Sequence, residues 1–128
     1  MEKAKQIKPT ESELEILAVL WANENATVRT VHEELTKTKE AGYTTTLKLM
    51  QIMHEKGLVT RNTDSKTHIY TPAIDKEKTQ RQIVNKMIAN LFAGSSASMV
   101  MQALGGNKTS KEELTKIEEL IATLKAKK

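Results

Sequence analysis

The stretch from Gly42 to Pro72 constrains this chain more than any other. It opens on a glycine, runs through YTTTLKLMQIMHEK without a break, and meets Gly57. At about 100° per residue, with Thr46 as the inward reference, Leu49, Met50 and Met53 fall on one side. Thr44, Lys48, Gln51 and Glu55 fall on the other, and Thr45, Leu47 and Ile52 lie on the flanks. The spacing predicts a helix over residues 44–56. Gly57 suits the left-handed conformation that closes a helix, because it carries no Cβ. Beyond it, residues 58–61 and 67–71 alternate and are rich in β-branched side chains, and residues 62–66 form a polar, turn-rich pentapeptide. Pro72 ends the second strand.

Two shorter helices precede this segment. Thr10 and Glu13 form a capping box, the hydroxyl accepting from the N3 amide while the glutamate reaches back. The helix they open carries Leu14, Leu17, Ala18 and Trp21 at helical spacing. Residues 23–26 break it. Thr27 caps a second helix over residues 28–37, with Val28, Val31 and Leu35 facing inward, and a polar connection reaches Gly42. Three helices and then a hairpin is the order of a winged helix-turn-helix. In that module the third helix enters the DNA major groove, and the hairpin lies on the flanking backbone. The expected fold is mainly α with a small β-hairpin: a flexible tail over residues 1–9, a winged-helix domain over 10–75, and a helical region over 76–128.

Charge alone does not announce a nucleic-acid partner. The net charge is +4, but residues 1–75 carry ten Lys/Arg and eleven Asp/Glu, while residues 76–128 carry ten Lys/Arg and five Glu. Within residues 44–71, Lys48, Lys56, Arg61 and Lys66 stand against Glu55 and Asp64. The arrangement of charge therefore matters more than its total. Apolar content of 38% and aromatic content of 3% are low for a solitary core, which favours extra burial by self-association. The absence of cysteine excludes disulfides and thiolate metal sites and fits a reducing cytoplasm. No apolar run approaches the roughly 18–20 residues needed to cross a bilayer, and MEKAKQIKPT lacks the apolar stretch of a secretory signal. A cytoplasmic chain without membrane insertion is expected.

The outer face of the third helix carries the chemistry of groove recognition. Threonine donates to phosphate and offers a methyl to thymine; lysine reaches phosphate or guanine O6/N7; glutamine pairs with adenine. Thr44, Thr45, Lys48 and Gln51 supply this set at the end of the helix that normally enters the groove. A solvated helix face would show the same polar residues. The hairpin beside it tips the balance, since Arg61 and Lys66 sit where a wing meets backbone phosphates. Tyr43 either packs at the helix entry or touches phosphate through its hydroxyl. Leu47 is open between a thymine contact and packing; Ile52 is read as packing, and Trp21 and Tyr70 as core.

Enzymatic readings fare poorly. His32-Glu33-Glu34-Leu35-Thr36 begins like a zinc-protease HExxH helix, but Thr36 stands where the second histidine belongs. His32, His54 and His68 lie on three separate elements and read as surface residues. No Gly-rich phosphate loop and no GxSxG occurs. The expectation is a protein that is not an enzyme, with no cofactor and no metal.

From Asp75 the pattern turns helical: residues 76–92, then 97–104 stopped by Gly105-Gly106, then a last helix opened by a second capping box, Ser110 with Glu113. Ile83, Met87, Leu91, Ile117, Ile121 and Leu124 are too many apolar residues for isolated helices to leave in water, and pairing with a second copy would bury them. Direct phosphate binding by the basic tail and folding back onto the same chain are the other uses open to it. A two-fold dimer expects an inverted-repeat operator with half-sites about one helical turn apart, roughly 34–36 Å, or a multiple of that.

Four segments in order resemble the penicillinase and methicillin-resistance repressor family of bacteria: TESELEILAVLW at 10–21, YTT…EKGLV at 43–59, IYTPAID at 69–75 and SMVMQAL at 98–104. The resemblance implies a homodimeric winged-helix repressor of an antibiotic-response operator. It also implies that Thr44, Thr45, Lys48 and Gln51 read DNA and that residues after about 75 dimerise. In that family a membrane-bound sensor metalloprotease relieves repression by cutting an Asn-Phe bond after the SMV text. The matching bond here is Gln102-Ala103, a departure at both positions. Lys48 and Ile52 stand where a threonine and an arginine are common. Copper-responsive relatives carry a C-terminal cysteine cluster that this chain lacks. Two other readings stay open at this point: a winged-helix module that binds protein partners, and a repressor released by a small-molecule ligand.

Overall fold

The structure, a computed structural model, describes residues 8–128. Of the tail expected over residues 1–9, residues 1–7 lie outside the described residues. The described elements run α1 (Glu11–Asn23), α2 (Val28–Leu35), α3 (Tyr43–Lys56), β1 (Val59–Asn62), β2 (Ile69–Pro72), α4 (Lys76–Leu91), α5 (Ser96–Gly106) and α6 (Lys111–Ala126). They divide into two compact units, one ending at Gln80 and one spanning Arg81–Lys128. No single helix among the described residues is long and apolar enough to cross a membrane.

In the first unit α1, α2 and α3 pack on one another and on the hairpin around a core of Ile16, Leu17, Leu20, Val31, Met50, Met53, Leu58 and Tyr70. Thr10 caps α1 through both arms of its box, the Glu13 amide donating to Thr10 Oγ1 at 3.2 Å and the Thr10 amide to Glu13 Oε1 at 2.9 Å. The inner face of α1 differs from the expected one. Glu13, Ile16, Leu17 and Leu20 are buried, Leu14 and Trp21 are half-buried, and Ala18 is exposed. The helix is covered by α2, α3 and β2 together, so its buried stripe is centred on the 13–16–17–20 line. Ala18 lies about 140° round from Glu13 on that wheel and meets water. Trp21 keeps its place at the core edge by donating from Nε1 to the Ile74 carbonyl at 3.1 Å.

Thr27 caps α2, accepting from the Thr30 amide at 3.2 Å, and Val28, Val31 and Leu35 face inward. The helix stops at Leu35, short of residue 37. Beyond it the ladder tightens into i−3 turns, the Lys37 amide donating to the Glu34 carbonyl at 3.3 Å and the Thr38 amide to the Leu35 carbonyl at 3.2 Å. After α3, Gly57 adopts φ 84°, and the Leu58 and Gly57 amides return to the Met53 and His54 carbonyls at 2.9 and 3.1 Å. This Schellman closure is open to glycine at little cost. It also commits the Leu58 amide to the helix end, so the first strand begins at Val59. β1 and β2 pair antiparallel from Val59↔Pro72 to Asn62↔Ile69. Pro72, which has no amide hydrogen, sits at the ladder's end, where the loss is tolerated. Ala26 adds a bridge to Tyr70, its amide donating at 3.0 Å and its carbonyl accepting at 2.8 Å. That bridge ties the α1–α2 connection, read from sequence only as a break, to the hairpin.

In the second unit, Ala93 and Gly94 take positive φ after α4, and the Gly94 amide donates to the Ile88 carbonyl at 2.8 Å. The helix α5 does not stop at Gly105-Gly106 but continues through both to Asn107, whose side chain donates to the Ala103 carbonyl at 2.9 Å. A glycine in a helix costs only about 1 kcal/mol relative to alanine, too little to end one by itself. Ser110 and Glu113 cap α6 as expected.

Candidate nucleic-acid interface

The helix α3 turns one face into the core and leaves the opposite face in water. Thr46, Met50 and Met53 are buried, and the Thr46 hydroxyl is satisfied by the Gly42 carbonyl at 3.3 Å. Thr44, Thr45, Lys48 and Gln51 are exposed. Leu47 is half-buried, packing one side against the core while also lining the groove that α3 forms with α2 and the hairpin. Ile52 is half-buried but is not among the side chains packed on that core. Tyr43, the first residue of α3, is 45% exposed and meets His32 of α2 edge-on, with ring centroids 5.4 Å apart. His32 is half-buried, with its Nδ1 buried and without a hydrogen-bond partner among the described residues.

The connection between β1 and β2 is held by its own side chains. Asn62 Oδ1 accepts from the Asp64 amide at 2.8 Å, and Ser65 Oγ donates to the Thr67 carbonyl at 2.7 Å. Lys66 and His68 project into water from this segment. Arg61 is half-buried, and its Nε finds no partner among the described residues. Tyr70 is buried, as a core residue should be.

An open groove of ≈ 350 Å³ runs between these elements. Tyr43, Leu47 and Gln51, successive turns of α3, form one wall; Lys66, Thr67 and His68 line it from the hairpin, and Thr27, Val28 and Arg29 from the start of α2. The structure thus brings Tyr43, Gln51 and Lys66 to one concave surface, while Thr44, Thr45, Lys48 and Arg61 are not among the residues lining it. Arg29 was not singled out in the sequence, and His68 was read there only as a surface residue; the structure brings both to the groove. Their place depends on the Ala26–Tyr70 bridge, which no local pattern signals.

Lys56 does not belong to this surface. Its ammonium binds both Glu13 carboxylate oxygens at 2.9 Å, joining the end of α3 to the start of α1. Burial acts to raise the Glu13 pKa, but the Thr10 amide, the Lys56 ammonium and the Thr10 hydroxyl together outweigh it. The carboxyl is held below its ordinary value. Lys48 and Lys66 have no ion-pair partner among the described residues. Among those residues no group of three His, Cys, Asp or Glu side chains could hold a metal ion.

In the second unit neither α5 nor α6 contains a buried residue. Ile83 and Ile117 are half-buried; Met87, Leu91, Ile121 and Leu124 are exposed, Leu91 to 72%. Met101 at 72% and Leu120 at 57% join them. Gln102 and Ala103 lie inside α5, both exposed.

A profile described as penicillinase repressor matches residues 9–123. A penicillinase repressor of Bacillus licheniformis is 25% identical over 128 residues, covering all of this chain and 98% of that protein. The transcriptional regulator BlaI of Mycobacterium tuberculosis is 32% identical over 76 residues, 59% of this chain and 55% of that protein. Among solved structures, the DNA-binding domain of the repressor BlaI is 29% identical with a TM-score of 0.49, covering 59% of this chain and 90% of that one. Monomeric Bacillus licheniformis BlaI in complex with the blaP half-operator is 28% identical with a TM-score of 0.48, over 60% and 92%.

Proposed function

The chain belongs to the penicillinase repressor family, and from that premise we propose that it is a homodimeric repressor that binds an inverted-repeat DNA operator through α3 and the hairpin. The observation that carries this reading is the exposed Thr44–Thr45–Lys48–Gln51 face beside a hairpin bearing Lys66. Groove reading needs short donors and cations on a helix with one free side, and this helix has them at its N-terminal end. Tyr43 supports the same role with nearly half its surface free next to that end, and Arg61 by its half-buried place on β1. Phosphate contacts from Arg61 and Lys66 would set register, and Lys48 and Gln51 would discriminate bases.

Dimerisation is supported by the apolar side chains that the second unit leaves uncovered. Large apolar side chains left exposed in such number on one unit are the kind of surface that association covers. Ile83, Met87, Leu91, Ile117, Ile121 and Leu124 are the residues proposed to pair with a second copy. Two linked modules make the second half-site contact intramolecular and raise affinity by about 10²–10⁴. Relief of repression by a membrane-bound metalloprotease is the regulatory part of the proposal, with Gln102-Ala103 as the candidate bond. Cutting there requires α5 to open first, because the bond lies within the helix. Enrichment of random duplexes on the purified full chain tests the core of the reading. A shared inverted repeat among the enriched duplexes is expected; no preference over random DNA would overturn it.

A further inference from the structure

The groove between the start of α2, α3 and the hairpin holds two cations that the sequence places far apart, Arg29 and Lys66. Arg29 is the second residue of α2, exposed, and without an ion-pair partner among the described residues. No carboxylate is among the residues lining the groove. Gln51 and His68 add hydrogen-bonding groups, while Val28 and Leu47 give it an apolar part. A free inorganic anion would satisfy the two cations and leave that apolar part in water. A nucleic-acid strand offers both chemistries at once, charged phosphates and the apolar faces of its sugars. We propose that Arg29 is a DNA-backbone contact which, with Lys66, clamps one sugar–phosphate strand in this groove. The proposal rests on the DNA-binding reading above and adds to it a sequence-independent anchor on α2. The Ala26–Tyr70 bridge makes the anchor effective, because it holds the α1–α2 connection against the hairpin that carries Lys66.

The test titrates full-length wild type, Arg29→Ala and Arg29→Lys by fluorescence anisotropy against two labelled duplexes across a salt series. One duplex is of mixed sequence, and the other is enriched by selection on the wild-type protein. Each phosphate contact contributes about 0.9 to the slope of log affinity against log salt. Arg29→Ala is expected to flatten that slope by about 0.9 on both duplexes alike. Between 50 and 200 mM salt the affinity loss would then be about 3.5-fold smaller than for wild type. Arg29→Lys should keep the wild-type slope, and circular dichroism should be the same for all three. An unchanged slope in Arg29→Ala would overturn the proposal, as would a loss confined to the selected duplex, which would make Arg29 a base reader. So would binding of millimolar inorganic phosphate to wild type, but not to Arg29→Ala, that leaves DNA affinity unchanged at constant ionic strength, which would mark a free-anion site apart from DNA. Wild type binding neither duplex would sink the DNA-binding reading itself, and this clamp with it.

Discussion

Lys48 and Arg29 are both exposed cations, yet they should fail in different ways when removed. Lys48 sits on the outer face of α3 among threonines, where a side chain can reach base edges. Lys48→Ala is expected to cost about 1–3 kcal/mol on the selected duplex and much less on random DNA. Equal weakening of both in the same anisotropy titration would reassign Lys48 to phosphate. The exposure of Lys48, Thr44, Thr45 and Gln51 was legible in the sequence because the 3.6-residue period sets them away from the Thr46–Met50–Met53 line, which the structure buries. Arg29 was not legible, because it reaches the groove only through the Ala26–Tyr70 bridge between distant parts of the chain. Gly57 was legible for the opposite reason, since its role is local. Its φ of 84° is costly for any residue with a Cβ. Gly57→Ala should therefore destabilise the first unit by about 1–2 kcal/mol, read as a lower denaturant midpoint with an unchanged slope. A midpoint equal to wild type would mean that the helix end relaxes without strain.

The ion pair between Glu13 and Lys56 shows how one element disciplines another. Glu13 was expected only to reach back to its own helix cap, and it does, but the same carboxylate also binds the last residue of α3. A capping box is visible as text, whereas a partner on another helix is not. The same limit explains the rotated face of α1: its period was readable, but the elements covering it were not. The pair carries a pH signature. The folded-state pKa of Glu13 lies below its ordinary value, so its stabilisation is fully present above the unfolded value and is lost as pH falls through the folded one. Glu13→Gln keeps the cap geometry and removes the charge. It should cost about 1–2 kcal/mol at neutral pH, discounted because Lys56 is partly exposed, and progressively less below the ordinary carboxylate range. Thermal melts of both proteins against pH check this. Parallel curves from neutral to acid would show that the pair adds nothing to stability.

The whole molecule poses a burial problem that the second unit does not solve alone. Its apolar residues were legible by spacing, and the structure leaves Met87, Leu91, Leu120, Ile121 and Leu124 open to water. What covers them could not be read from the chain, because a surface pairing with a copy of itself leaves no mark beyond its own apolar pattern. The proposed dimer makes the hydrophobic effect and DNA affinity two readings of one contact. Burying these side chains favours association, and association turns two weak half-site contacts into one strong operator contact. A full-length chain carrying Leu91→Asp and Ile121→Asp should therefore sediment as a monomer with its helical circular dichroism intact, since both positions are exposed in the single chain. Its affinity for a duplex with both half-sites should fall by about 10²–10⁴, while its affinity for a duplex with one half-site should stay close to that of wild type. Equal loss on both duplexes would show that the second unit touches DNA directly. A wild-type chain that sediments as a monomer at micromolar concentration would remove the dimer from the account altogether.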